Sequence, residues 1–220
     1  MRITHGRVTL ALHELARKDG PSLLLLHGLY GSSDNWGETP ATWPGAVYAL
    51  DFTGHGRSDW LSGGAYYPEL LVGDADAALV HIGQAALVGA GIGAYVALLV
   101  AGARPDLVPA AMLLPGAGLD GAGALPDFAR EIFFPPQILR PPTAHDPFVD
   151  ALDAFVRPVD YVETFARAAQ RLLLLEDGQP RPPWWEASRT SPSAEIVTAD
   201  FSSALARLAM VITGPRRALA

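Results

Sequence analysis

The chain has 220 residues, a formal net charge of −7 and no cysteine. The charge and a single lysine, Lys18, exclude the clustered Lys and Arg that nucleic-acid binding needs. The missing thiols exclude disulfides, Cys-ligated zinc and a cysteine nucleophile. Half the residues are hydrophobic and 18% are charged, which predicts one folded domain over residues 1–220. Met1-Arg2-Ile3-Thr4-His5 has no apolar secretory core, and the most apolar stretch, Ala86–Ala103, contains four glycines. A cytoplasmic protein without a membrane span is therefore expected. The Ala-, Arg- and Pro-rich, Lys-poor usage suggests a bacterium with GC-rich coding.

In chain order, Arg7–Leu15 has partial period-2 character and predicts a strand at a sheet edge. Lys18-Asp19-Gly20-Pro21 is a turn, and Ser22–His27 is a continuous apolar run, as in a strand buried on both faces. Gly45–Asp51 predicts a second buried strand, and the turn-rich Phe52–Trp60 follows it. Leu71, Ala75, Ala78 and Leu79 give helical spacing over Leu70–His81. Ala86–Val88 predicts a strand, the glycine cluster after it a tight corner, and the next apolar segment a helix to about Ala103. Strands at Val108–Leu114, Arg171–Leu175 and Glu195–Thr198, with a helix over Phe201–Ile212, complete the pattern. Strands alternating with helices mean a mostly parallel, doubly wound α/β sheet. Ligands in such folds lie beyond the carboxyl ends of the strands. His27–Trp36, Gly54–Trp60 and Gly89–Gly93 all fall there.

Three ordered motifs give the resemblance. They are His27-Gly28-Leu29-Tyr30-Gly31-Ser32-Ser33-Asp34-Asn35-Trp36, then Asp51-Phe52-Thr53-Gly54-His55-Gly56-Arg57-Ser58-Asp59, then Gly89-Ala90-Gly91-Ile92-Gly93. The first resembles the oxyanion loop of α/β-hydrolase-fold proteins, the second their D-x-x-G-x-G-x-S turn, and the third their nucleophile elbow. The resemblance covers roughly residues 5–115. It implies an α/β-hydrolase fold, with a small, reduced cap over 115–171 broken by Pro135-Pro136 and Pro141-Pro142.

It also implies which chemical groups to look for. The family's reaction needs a nucleophile, a histidine base and an acid that orients it. The nucleophile position is Gly91, which has no side chain to attack with. The base position falls in Thr198-Ala199-Asp200-Phe201-Ser202, where Asp200 stands, and no histidine follows His145. Asp177, or Glu176 less well, holds the acid position. The amides of Leu29 and Ile92 are expected to converge as an oxyanion pocket, with Gly28, Tyr30 and Trp36 around it. His27 is expected to brace its loop, His55 to be a turn residue, His81 to be solvated, and His145 to lie in the cap. Asp74, Asp76 and Asp200 read as solvated, and Trp184-Trp185 as an anchor for a loop. No His and carboxylate set has metal-ligand spacing, so no metal or cofactor is expected.

Gly89, Gly91 and Ala94 also fit the dinucleotide fingerprint G-x-G-x-x-G/A. That motif needs a carboxylate at the end of the next strand to hold the ribose. Here the strand ends in Leu113-Leu114-Pro115-Gly116. Losing Ser from G-x-S-x-G to Gly creates G-x-G by itself. The expectation is an α/β-hydrolase-like protein without the triad, binding a small, mostly apolar ligand or a protein partner in the oxyanion pocket. Two alternatives stay open: an enzyme acting without a covalent step, in which His145 or a water near Gly91 moves the proton, and an esterase-like hydrolase that uses other residues.

Overall fold

The apolar runs form the centre of one eight-stranded sheet of order β1-β2-β4-β3-β5-β6-β7-β8. A computed structural model describes residues 1–37, 42–62, 65–119, 145–154 and 157–214. The strands are Arg2–His5 (β1), Val8–Ala16 (β2), Ser22–Leu26 (β3), Val47–Asp51 (β4), Ala85–Ala90 (β5), Ala111–Leu114 (β6), Leu172–Leu175 (β7) and Ala194–Val197 (β8). From β4 to β8 in spatial order every pairing is parallel, while β1 and β2 add an antiparallel edge. Arg7–Leu15 is thus not the edge strand. A short hairpin places β1 outside it, with His5 opposite Val8 across Gly6 and Arg7.

The helices are Pro68–Ile82 (α1), Ile92–Ala103 (α2), Ala151–Ala154 (α3), Val159–Ala168 (α4), Pro183–Arg189 (α5) and Phe201–Thr213 (α6). Alternation along β3 shows why the run is apolar throughout. Leu24 and Leu26 pack into the cluster that holds Leu71, Val96, Val162 and Trp184. Leu23 and Leu25 pack into the opposite cluster with Trp36, Trp43, Leu205 and Leu208. Helices therefore cover both faces, the doubly wound arrangement expected. The single cluster on each side is the core.

α4 belongs to the body and lies against α2. A Cβ on Gly102 would come 2.4 Å from the Phe165 carbonyl oxygen, so the two backbones touch there. The double prolines assigned to the cap, with residues 120–144 and 155–156 of the proposed 115–171 insertion, lie outside the described residues. No described helix is long and apolar enough to cross a membrane.

Candidate functional site

Two buried carboxylates position the loops at the carboxyl edge of the sheet. Asp51 ends β4 and accepts from Ser33 N at 2.6 Å, Arg57 N at 2.9 Å and His13 Nε2 at 3.0 Å. Burial works against its charge, but the hydrogen bonds from Arg57, Ser33 and His13 together outweigh it and hold the carboxyl below its usual range. Asp74 is fully buried, not solvated. It accepts from Thr53 N at 2.8 Å and Thr53 Oγ1 at 2.9 Å, and meets His5 Nδ1 at 2.7 Å. The helical spacing explains this: Asp74 lies three residues after Leu71 and four before Ala78, on the inward face. Asp76 is ion-paired with Arg104 at 2.8 Å.

The corner between β5 and α2 consists of Gly91 alone, at φ +54° and ψ −120°. Only glycine takes such a backbone without strain. α2 starts hard against the end of β3, where a Cβ on Gly93 would lie 2.2 Å from the Leu26 carbonyl oxygen. The main-chain nitrogens of Leu29 and Ile92 converge as expected. Both donate to one acceptor, the carbonyl oxygen of Ala117, at 3.0 and 2.9 Å. The space expected for a ligand is therefore filled by the chain's own backbone. A Cβ on Gly91 would fall 2.1 Å from the same oxygen.

The strap Gly116–Leu119 that supplies this oxygen is tied at its far end too. Trp184 Nε1 donates to the Leu119 carbonyl oxygen at 3.0 Å, and the indole packs edge-on against Tyr95. Trp184 of the tryptophan pair thus anchors a loop, and that loop is the strap. Sequence reasoning did not find the strap. Its signal was Pro115-Gly116-Ala117-Gly118, a second glycine cluster directly after a buried strand.

The remaining expected site residues are spent elsewhere. Asp177 accepts from Gln179 N at 3.0 Å and is paired with Arg181. Asp200 caps α6 through Ser203 N at 3.0 Å and Ser203 Oγ at 2.7 Å, and that contact lowers its carboxyl pKa. Neither carboxylate has a hydrogen bond to the corner among the described residues. Trp36 is buried in the core cluster that includes Leu23 and Leu25. Gly28 lies beside the strap, a Cβ there being 3.4 Å from the Ala117 oxygen.

The histidines separate into distinct roles. His27 Nδ1 meets the Gly28 carbonyl oxygen at 2.8 Å and Nε2 accepts from Phe52 N at 3.1 Å, so its ring is a neutral brace. Burial pushes its pKa down accordingly. His55 is fully buried, with Nδ1 3.2 Å from the Thr53 carbonyl oxygen and Nε2 without a partner among the described residues. Burial, then the neighbouring His27, holds its pKa well below the usual histidine value. His81 is exposed. His145 bridges to His55 through the backbone, and its ring lies 5.1 Å from that of Tyr30.

Tyr30 is half-exposed and sits in the left-handed region at φ +65°. Burial, and then the carboxylate of Asp150, pushes the pKa of its hydroxyl up; Asp150 is a buried residue that sequence reasoning passed over. Burial raises the Asp150 pKa. No group of three or more His, Asp or Glu side chains suited to a metal occurs among the described residues.

The chain matches the alpha/beta hydrolase family over residues 23–217. It belongs to that family. Among solved structures, a carboxylesterase study of the thaumarchaeon Nitrososphaera gargenis matches at 17% identity, covering 94% of this chain and 96% of that one, with a TM-score of 0.74. A hypothetical protein of Pseudomonas aeruginosa PAO1 matches at 18% identity over 96% and 97% of the chains, TM-score 0.69. The bottromycin epimerase BotH, in complex with bottromycin A2, matches at 21% identity over 96% and 95%, TM-score 0.60. No curated protein sequence matches. In this α/β-hydrolase family member the elbow backbone and both converging amides are in place, and a main-chain carbonyl lies on them.

Proposed function

We propose that this family member does not hydrolyse esters by a covalent route, and that it binds a small molecule or a protein partner. The observation that carries the reading is the Ala117 carbonyl oxygen, which accepts from both Leu29 N and Ile92 N. An oxyanion hole works by donors aimed at a developing negative oxygen, and here those donors are already used. Gly91 offers no nucleophile, and no histidine follows His145 to activate one. A ligand that used these amides would have to displace the strap. The proposal retains a cytoplasmic protein that works without nucleic acid, membrane, metal or cofactor.

The likeness to an epimerase supports only that this fold carries chemistries other than ester cleavage. One observation favours a second reading, in which proton transfer occurs without a covalent step: the ring of His145 stands beside that of Tyr30 at the carboxyl edge of the sheet. The test is incubation with p-nitrophenyl acetate and butyrate, and separately with a fluorophosphonate followed by intact-mass measurement. No turnover above buffer and no adduct are expected. A stoichiometric adduct on a single hydroxyl contradicts the proposal.

A further inference from the structure

At the carboxyl edge of the sheet, rings follow one another from the surface into the body. Tyr30 is exposed, and the His145 ring lies 5.1 Å from it. His55 comes next, 6.4 Å from His145, and His27 lies 5.0 Å beyond His55. His145 is partly exposed, whereas His55 and His27 are buried.

His55 is the ring with no place for a proton. Its Nδ1 faces the Thr53 carbonyl oxygen, which only accepts, so Nδ1 carries the hydrogen and Nε2 is a bare acceptor. Nε2 has no partner among the described residues. A charge there would be buried without an acceptor. His27 offers no help, since both its nitrogens are engaged, with the Gly28 carbonyl oxygen and Phe52 N. The Asp51 carboxylate favours a charged His55, but it already accepts from Ser33 N, Arg57 N and His13. Burial, then His27 and His145, prevails over Asp51 and keeps the ring neutral.

On its outer side His55 is covered by the stretch His145–Asp150. A backbone bridge joins His145 to His55, and Asp146 N donates to the Gly54 carbonyl oxygen at 2.6 Å. The Asp146 carboxylate accepts from the Tyr66 hydroxyl at 2.9 Å and from Phe148 N at 3.0 Å. Val149 roots the stretch in the core. A charge on His145 repels one on His55 and is attracted by Asp150, whose carboxyl also feels Asp153. Burial raises the Asp150 pKa, so Asp150 by itself favours the closed stretch in acid, against His55. Water reaches His55 Nε2 from this side by lifting one bridge. From the His27 side it would have to part the end of the central strand β3.

We propose that His55 is an acid sensor whose protonation lifts the stretch His145–Asp150 off the carboxyl edge of the sheet. The closed form keeps Nε2 dry and the open form hydrates it. A depressed histidine pKa means that the closed form is fully favoured above the ordinary value of 6.5 and loses ground as pH falls below it. Each pH unit in that window raises the open fraction by up to about tenfold. The device does not depend on what the chain binds.

The test is hydrogen exchange of the Asp146 and Val149 amides in the full chain, from about pH 7.5 down to about pH 5, corrected for the intrinsic rate. Protection should be lower than at Leu24 at every pH, and should fall by up to about tenfold per unit below pH 6.5. His55→Asn keeps a donor for the Thr53 carbonyl oxygen and takes no proton, so the fall should vanish or reverse. Tyr66→Phe removes the hydroxyl that holds Asp146, and serves if His55→Asn does not fold. It should lower Asp146 protection at every pH and keep the fall. No fall in the native chain, a fall that persists in His55→Asn, protection at Asp146 equal to that at Leu24, or no effect of Tyr66→Phe overturns the proposal.

Discussion

The main-chain nitrogen of Ile92 lies 2.9 Å from the carbonyl oxygen of Ala117, and Leu29 N reaches the same oxygen from the other side at 3.0 Å. Two donors at the place where the resemblance implies an oxyanion pocket are thereby satisfied within the chain. On the proposed reading the elbow's backbone is kept and its use is changed. The consequences can be measured.

Gly91→Ser alone should not create an esterase. Its Cβ would fall 2.1 Å from the Ala117 oxygen, on a backbone at φ +54°. Strain and overpacking together should cost about 2–4 kcal/mol. Thermal melts should show a lower Tm, and p-nitrophenyl acetate should remain at the buffer rate. Adding Asp200→His should not rescue activity, because it removes the cap of α6 and leaves the strap in place.

Trp184→Phe keeps most of the packing but deletes the indole N–H that holds Leu119. The carbonyl left behind is buried, so about 1–2 kcal/mol should be lost. Differential scanning calorimetry measures this. An unchanged melt would mean that the far end of the strap is held some other way.

Asp51→Ala leaves the amides of Ser33 and Arg57 without their buried acceptor. Loss of a buried, multiply bonded carboxylate should cost about 3 kcal/mol or more. Urea titration should show a lower midpoint. Both loops flanking Tyr30 should loosen together, because one carboxylate ties them.

His5 gives a pH signature. Its hydrogen bond to Asp74 raises its pKa, against the opposing effect of partial burial. A raised histidine pKa contributes stability that is complete below the unfolded value near 6.5 and fades as pH rises through the folded value. The stability gap between the native chain and His5→Gln should thus be larger at pH 5.5 than at pH 9. Paired urea titrations at the two pH values check this, and an equal gap contradicts it. Since His5 is partly exposed, added salt should narrow the gap.

Much of the frame can be read directly from the sequence. Ser22–Leu26, Val47–Asp51 and Leu172–Leu175 are apolar on both faces because the sheet is covered on both faces. The corner at Gly91 is visible because a strand, a glycine cluster and a helix are contiguous. The strap is a different case. It brings Ala117 onto amides far away in the sequence, and no local period records that contact. Asp74 was legible in principle, since its spacing from Leu71 and Ala78 puts it inward. It was misread because an acidic residue on a helix is most often solvated. Asp150 gave no signal beyond the Asp146-Pro147 start of its short helical turn.

Amide hydrogen exchange at Leu29 and Ile92 tests the central claim most directly. If the Ala117 carbonyl occupies both donors, these amides exchange as slowly as core strand amides such as Leu24 and Val88. Exchange at both within about tenfold of the unstructured-peptide rate would show donors open to water, and would contradict the closed elbow.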